Sequence, residues 1–326
     1  MMRRAALSAA TLVGTIVMGI IINVVSMWWE KREKVFTNAH ENTIKEALIN
    51  PDDIDVTLDD VGGLADIKEN IRLSVLLPIR HYAQFFNPSA KHLRPKCGIL
   101  LHGPPGTGKT MLAKAIAKDS NANFLCLTAS NLESKWFGET NRLLAAAFSF
   151  AKKRQPCILF FDEIDGLGRI RSEFDSSGTY SLKTELLQHM DGVTSQVKDC
   201  VFVIGCTNNL NNLDPALKRR FTKQFYVNVP TQEERQSILK ALCKNETKID
   251  NGDIAKVASW TPGYTGSDLN ALYHEVSNNR MMDVLKQIET NVEDLPALTS
   301  NLKPITLSDW KNVLGVSEEE DESPPP

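Results

Sequence analysis

Two hydrophobic rhythms divide this chain. Between residues 97 and 229, short unbroken apolar runs alternate with longer stretches of helical periodicity. The runs are CGILLH (97–102), NFLCLT (123–128), CILFFD (157–162), CVFVIGC (200–206) and QFYVNV (224–229). Continuous rather than alternating apolar residues predict strands buried on both faces of a parallel sheet, with helices between them. From Thr231 the strand signal stops. TQEERQSILKALCK, GDIAKVASW, SDLNALYHEVSNNRMMDVLKQI and LSDWKNVLG predict helices, three of them opening on Thr, Gly-Asp or Ser-Asp caps. The expected organisation is an α/β domain over 58–230 and a small helical unit over 231–316. The tail SEEEDESPPP (317–326) is disordered by composition.

A third pattern sits at the N-terminus. No charged residue interrupts Ala5 to Trp29. At about 1.5 Å per residue this run exceeds the roughly 30 Å of a bilayer core. Trp28 and Trp29 fall at the interfacial level, and Glu30, Lys31 and Arg32 end the run. The expectation for residues 1–29 is a transmembrane anchor with the rest of the chain on the cytosolic side. Arg3 and Arg4 leave a cleaved targeting segment as the rival reading. Residues 30–57 are charged and mixed, with Glu41 and Lys45 at helical i,i+4 spacing and a turn at Asn50-Pro51-Asp52-Asp53. They predict a spacer too short to fold alone.

Composition adds little, and mostly by exclusion. The net charge of −3 over 326 residues indicates no nucleic-acid-binding surface. Six cysteines occur without a CxxC pair, several inside the apolar runs. They predict reduced core thiols rather than disulfides or a zinc site.

Candidate chemistry gathers at the ends of the predicted strands. GPPGTGKT, Gly103 to Thr110, follows one strand and opens a helix, the context that makes the pattern a phosphate loop. Its residues Gly103, Pro104, Pro105, Gly106, Thr107, Gly108, Lys109, Thr110 and the adjoining Met111 are candidates for holding ATP. Lys109 would neutralise the β- and γ-phosphates, and Thr110 would ligate Mg²⁺. ILFFDEID ends the third strand in two carboxylates, Asp162 for the metal and Glu163 to polarise water. Asn208 in CTNN would face the same crevice from the neighbouring strand. KWFG, Lys135, Trp136, Phe137 and Gly138, places large aromatics where a loop is expected. Either they pack into the core or they await a partner.

VGGLADIKENIRLSVLLPIR, GPPGTGKT, FFDEID, CTNNLNNLDPALKRRF and GYTGSDLNAL, in this order and spacing, resemble an AAA ATPase module from about residue 58 onward. LKRRFTK places the resemblance near the branch of spastin, katanin and the membrane-anchored mitochondrial dislocases. The resemblance implies a P-loop AAA+ fold with a five-stranded parallel sheet of order 5-1-4-3-2, a small C-terminal helical domain and a homo-hexameric ring. It further implies that Asp60 and Gly62 contact the adenine, with Gly266 and Ser267 closing its other side. Arg219 and Arg220 would reach the γ-phosphate held by the next subunit. KWFG would be a pore loop gripping an extended polypeptide, and 173–181 a second loop lower in the channel.

With the apolar N-terminus, these features point to a translocase that extracts mislocalised tail-anchored proteins from the mitochondrial outer membrane or peroxisome. The endoplasmic reticulum and inner mitochondrial membrane are alternative locations. Remodelling of cytoskeletal or membrane-bound polymers is a rival function, and a nucleotide-gated scaffold a rival of another class.

Overall fold

The computed structural model describes residues 44–86, 89, 95–128, 140–167, 177–195, 199–244, 249–288 and 305–316. The N-terminal apolar run, KWFG and the acidic tail lie outside the described residues. Among the described residues no helix is long and apolar enough to cross a membrane.

The apolar runs form strands β2 (Gly98–His102), β3 (Asn123–Thr128), β4 (Cys157–Asp162), β5 (Val201–Thr207) and β6 (Lys223–Tyr226). A further strand, β1 (Leu48–Ile49), precedes them, and the sheet order is β1-β3-β4-β5-β2-β6. The expected five-stranded, wholly parallel sheet is therefore corrected to a six-stranded mixed one. β1 pairs antiparallel with β3, Leu48 opposite Leu125, while the other neighbours are parallel. The expected spacer changes with it. Ile44 and Ile54 are buried in the main core, so residues 44–57 belong to the folded body. Two strand residues and two isolated apolar anchors are too short a signal for periodicity to detect.

The central strands are dry on both faces. Ile158, Leu159, Phe160 and Phe161 of β4 are each 0% exposed, as are Ile99, Leu100 and Leu101 of β2. β6 differs from its expected continuous burial. At the sheet edge its residues alternate between half-buried and exposed. Flanking helices present apolar stripes to the sheet: α1 (Ala65–Ile71), α2 (Lys109–Ser120), α3 (Thr140–Lys153), α4 (Ile164–Leu167), α5 (Ser177–Ser195) and α6 (Pro215–Arg220). In α3, for example, Leu143, Leu144, Ala147, Phe148 and Ala151 are buried at helical spacing. α1 continues through a π-helical turn, Arg72–Leu76, into Leu77–Arg80.

The C-terminal helices α7 (Gln232–Leu242), α8 (Asn251–Trp260), α9 (Gly266–Ile288) and α10 (Leu307–Leu314) build a second core around Leu239, Val257, Leu269, Val276 and Trp310. Thr231 and Glu234 cap α7 reciprocally. The caps of α8 and α9 lie slightly upstream of the expected residues, at Asp250 and Thr265. All six cysteines are free, and five are buried. Burial pushes the Cys157 and Cys200 thiols up to about 12, so neither supplies thiolate at neutral pH.

Candidate functional site

β2 delivers the chain to the phosphate loop at a position where side chains do not fit. Gly103 has φ +146°, and a Cβ there would lie 2.1 Å from the Val227 carbonyl oxygen. Gly106 and Gly108 are also left-handed, with φ of +76° and +88°. Such a sequence of conformations is accessible to glycine at little steric cost. It ends directly on the N-terminus of α2, where unsatisfied backbone N–H groups and the helix dipole favour an anion.

Lys109 is the first residue of that helix and is buried. Its Nζ donates to the carbonyls of Gly103 at 3.0 Å and Pro104 at 2.6 Å. Among the described residues it forms no salt bridge. Burial pulls its pKa below the usual lysine range, with Cys206 and Asp162 opposing that shift at longer range. A cation held only by carbonyl dipoles in a desolvated position is completed by an anionic ligand. One turn of chemistry away, Thr110 donates its hydroxyl to Asp162 Oδ2 at 3.0 Å. A hydroxyl and a carboxylate of this kind form the hard oxygen set that suits Mg²⁺ alongside phosphates.

Glu163 follows Asp162 at the exposed rim with φ +50°, an uncommon backbone conformation for this residue. Asn208 is exposed at the end of the neighbouring β5. Its position is set from below. Buried Thr207 donates to Asp165 Oδ1 at 2.7 Å and accepts from the Asn209 amide at 3.1 Å. The backbone on both sides of Asn208 is thereby tied to the DEID segment. Asp165 was not among the expected site residues, and only the fold reveals this role.

These groups line one cleft of about 610 Å³ between the two cores. Asp60, Gly62, Pro105, Gly106, Thr107, Gly108, Lys109, Thr110, Met111, Asp162, Glu163, Asn208, Gly266 and Ser267 all contribute to it. Gly103 and Pro104 do not line the cleft; they back it and receive Lys109. Ser267 closes the far wall by donating its amide to the Gly106 carbonyl at 3.0 Å. Asp60 is held by Thr57 through both amide and hydroxyl, which lowers its carboxyl pKa, and by Lys244 at 3.5 Å.

Val61, Ile238, Ala241, Leu242 and Asn270 also line the cleft without having been expected there. Ile238, Ala241 and Leu242 share the i, i+3, i+4 face of α7, a pattern that looks like ordinary core from sequence alone. Close approach depends on Gly62, whose added Cβ would lie 2.4 Å from Ile238 Cα.

Arg219 and Arg220, at the end of α6, do not line this cleft. They face a separate hollow of about 420 Å³ with Lys96, Asp191 and Thr222. Lys135, Trp136, Phe137 and Gly138 lie outside the described residues.

The sequence family termed "ATPase family associated with various cellular activities (AAA)" matches residues 99–229. A zebrafish (Danio rerio) protein named outer mitochondrial transmembrane helix translocase is 36% identical over 286 residues, covering 85% of this chain and 75% of that protein. Pig (Sus scrofa) spastin is 39% identical over 260 residues, covering 79% of this chain but 41% of spastin. The crystal structure of the FIGL-1 AAA domain in complex with ADP superposes with a TM-score of 0.68 at 32% identity, covering 86% of this chain and 94% of that one. A phosphate loop, a cleft between an α/β body and a helical unit, and a relative matched over three quarters of its length agree on one assignment. This chain belongs to the AAA family of ATPases.

Proposed function

We propose that this chain is a membrane-anchored translocase that couples ATP hydrolysis to drawing polypeptide out of a bilayer through a homo-hexameric channel. The observation that carries the hydrolytic half is Lys109, a buried cation with carbonyl partners alone, facing a cleft rimmed by Thr110, Asp162, Glu163 and Asn208. Lys109 binds the phosphates, Thr110 and Asp162 hold the metal, Glu163 orients and deprotonates water, and Asn208 fixes that water from the adjacent strand. Mg²⁺, when held there, neutralises charge on the phosphates. Asp60, Gly62, Gly266 and Ser267 enclose the base and sugar end. Arg219 and Arg220, remote from their own cleft, serve the cleft of a neighbouring protomer.

The work half rests on the relatives named transmembrane helix translocase and on the uncharged run from Ala5 to Trp29. Lys135 to Gly138 would grip the substrate, and tail-anchored proteins mislocalised to the mitochondrial outer membrane or peroxisome are the proposed substrates. Moving an apolar span into water costs about 25 cal/mol per Å² exposed, which repeated ATP cycles offset. Likeness to spastin supports a second reading, remodelling of a polymer.

Glu163→Gln in the full chain, expressed in cells and crosslinked, tests the two readings. Bound single-span membrane proteins support extraction, and bound polymer subunits overturn it in favour of remodelling. Unchanged ATP turnover by this variant would remove Glu163 from the chemistry. Trp136→Ala is expected to retain hydrolysis and lose substrate movement.

A further inference from the structure

One end of the cleft is walled by residues from both cores, and a single carboxylate joins them. Asp60, Val61 and Gly62 line it from the strap that leads into α1, and Ile238, Ala241 and Leu242 line it from α7. Past this wall the strap turns through two left-handed residues, Gly63 at φ +67° and Leu64 at φ +56°. Such backbone is uncommon in leucine and persists where neighbouring groups hold it. The holding group is Glu234 of α7. Its Oε1 accepts from the Leu64 amide at 3.0 Å, across 170 positions of sequence. Its Oε2 accepts from the Thr231 amide at 3.0 Å, while the Thr231 hydroxyl accepts from the Glu234 amide at 3.3 Å. The residue that caps its own helix thus also tethers the strap.

Both ends of that tether are anchored. In the helical unit the next residue, buried Arg235, donates Nη1 to the Pro230 carbonyl at 3.0 Å. Its Nε and Nη2 donate to the Ala258 carbonyl of α8 at 3.2 and 2.9 Å. Glu234 therefore rides on a first turn that α8 holds in place. On the strap, Lys68 donates to the Val61 carbonyl, and the Leu58 amide donates to Asp119 Oδ2 of α2 at 3.1 Å. Between these anchors strap and helix touch with no room for another side chain: a Cβ on Gly63 would lie 2.8 Å from Glu234 Cβ.

We propose that Glu234 is a positioning residue for the base: it ties the Asp60–Gly62 wall to α7, so that the helical unit sets affinity for adenine separately from affinity for the phosphates. This rests on the reading that the cleft takes ATP with Asp60 and Gly62 against its base. A flat, uncharged ring binds by contact with two walls, and contact energy falls steeply once they part. The Glu234–Leu64 bond fixes that spacing, because one wall is the strap and the other is the face of α7 that carries Glu234. The phosphate end is built from the α/β body alone. Lys109, Thr110 and Asp162 bond to one another's elements there, and none of those bonds reaches α7.

The test is competition titration of the full-length assembled protein with ATP, GTP and tripolyphosphate, paired with kcat and KM for ATP. Glu234→Ala should weaken ATP binding about tenfold, the scale of one lost charge-assisted hydrogen bond, and shrink the preference for ATP over GTP. Tripolyphosphate affinity and kcat should both stay within about twofold, the pattern of lost uniform binding. Thr231→Ala removes half of the reciprocal cap but keeps the Leu64 bond, so Tm should fall while ATP affinity holds. Unchanged ATP affinity in Glu234→Ala overturns the proposal. An equal loss for ATP and tripolyphosphate also overturns it, because the effect then lies in the fold at large. So does an ATP loss in Thr231→Ala as large as in Glu234→Ala, since helix capping would carry it. Wild-type protein with equal affinity for ATP and GTP would instead sink the underlying reading of the base wall, and the role of Glu234 with it.

Discussion

Two cations of the molecule, Lys109 and Arg220, are kept in opposite electrostatic states. Lys109 is buried and has no carboxylate within salt-bridge distance among the described residues; Arg220 is 29% exposed and has a bidentate one. A buried charge lacking a counter-charge is an unfinished site that only an anionic ligand completes. A half-exposed charge already paired is finished in itself and acts on what lies next to it. The first cation is left open to a ligand, and the second is closed on its own partner.

The comparison can be broken most severely at Lys109. Lys109→Ala should weaken nucleotide binding by about 100-fold or more, the scale of losing charge-assisted hydrogen bonds in a dry site. Fluorescent-nucleotide titration checks this, and wild-type affinity would remove Lys109 from the phosphate site. The same contrast predicts opposite stability effects without nucleotide. Lys109→Met removes an uncompensated buried cation and should stabilise the empty protein by about 1 kcal/mol. Asp191→Asn breaks a surface pair and should destabilise it by less than about 1 kcal/mol. Thermal unfolding with and without ATP measures both; loss of stability in Lys109→Met would mean the carbonyls already satisfy the charge.

Asp165→Ala tests whether support beneath the cleft matters independently of charge within it. It removes the acceptor for Thr207 and should lower kcat about tenfold at unchanged nucleotide affinity, since Asn208 loses its fixed backbone. Single-turnover kinetics would show an unchanged rate if Asn208 were held otherwise.

The smallest effects concern pH. Burial lowers the Lys109 pKa, so in the free protein it loses its proton before an ordinary lysine of 10.5. Nucleotide affinity should accordingly start to fall on the alkaline side below that value. Hydrogen bonding to Arg220 lowers the Asp191 pKa from 3.8. Its contribution is complete above 3.8 and is lost as pH falls through the lower folded value. Carboxyl NMR titration of both states checks the order, and an Asp191 that titrates at the ordinary value would mean the pair is not formed in solution.

Much of this was legible without coordinates because it depends on local pattern. Continuous apolar runs predicted β2 to β5, and their C-terminal ends placed Lys109, Asp162 and Asn208 on one edge. The exceptions share a cause. β1 is two residues long, and its stability comes from pairing with β3 rather than from its own composition. Ile238, Ala241 and Leu242 read as helix core until Gly62 lets α7 close on the Asp60–Gly62 wall of the cleft.

The sequence by itself therefore determined β2 to β5, the phosphate-loop pattern, the family and the identity of the charged groups, since each is written in contiguous residues. Tertiary structure decided which charges meet. Thr110 reaches Asp162 across 52 positions, Asp191 reaches Arg220 across 29, and Asp165 reaches Thr207 across 42, while Lys109 is left with carbonyl partners alone. Whether a cation is left open or locked follows from helix packing and burial, because Coulomb and hydrogen-bond energies depend on distance and desolvation rather than on residue type alone.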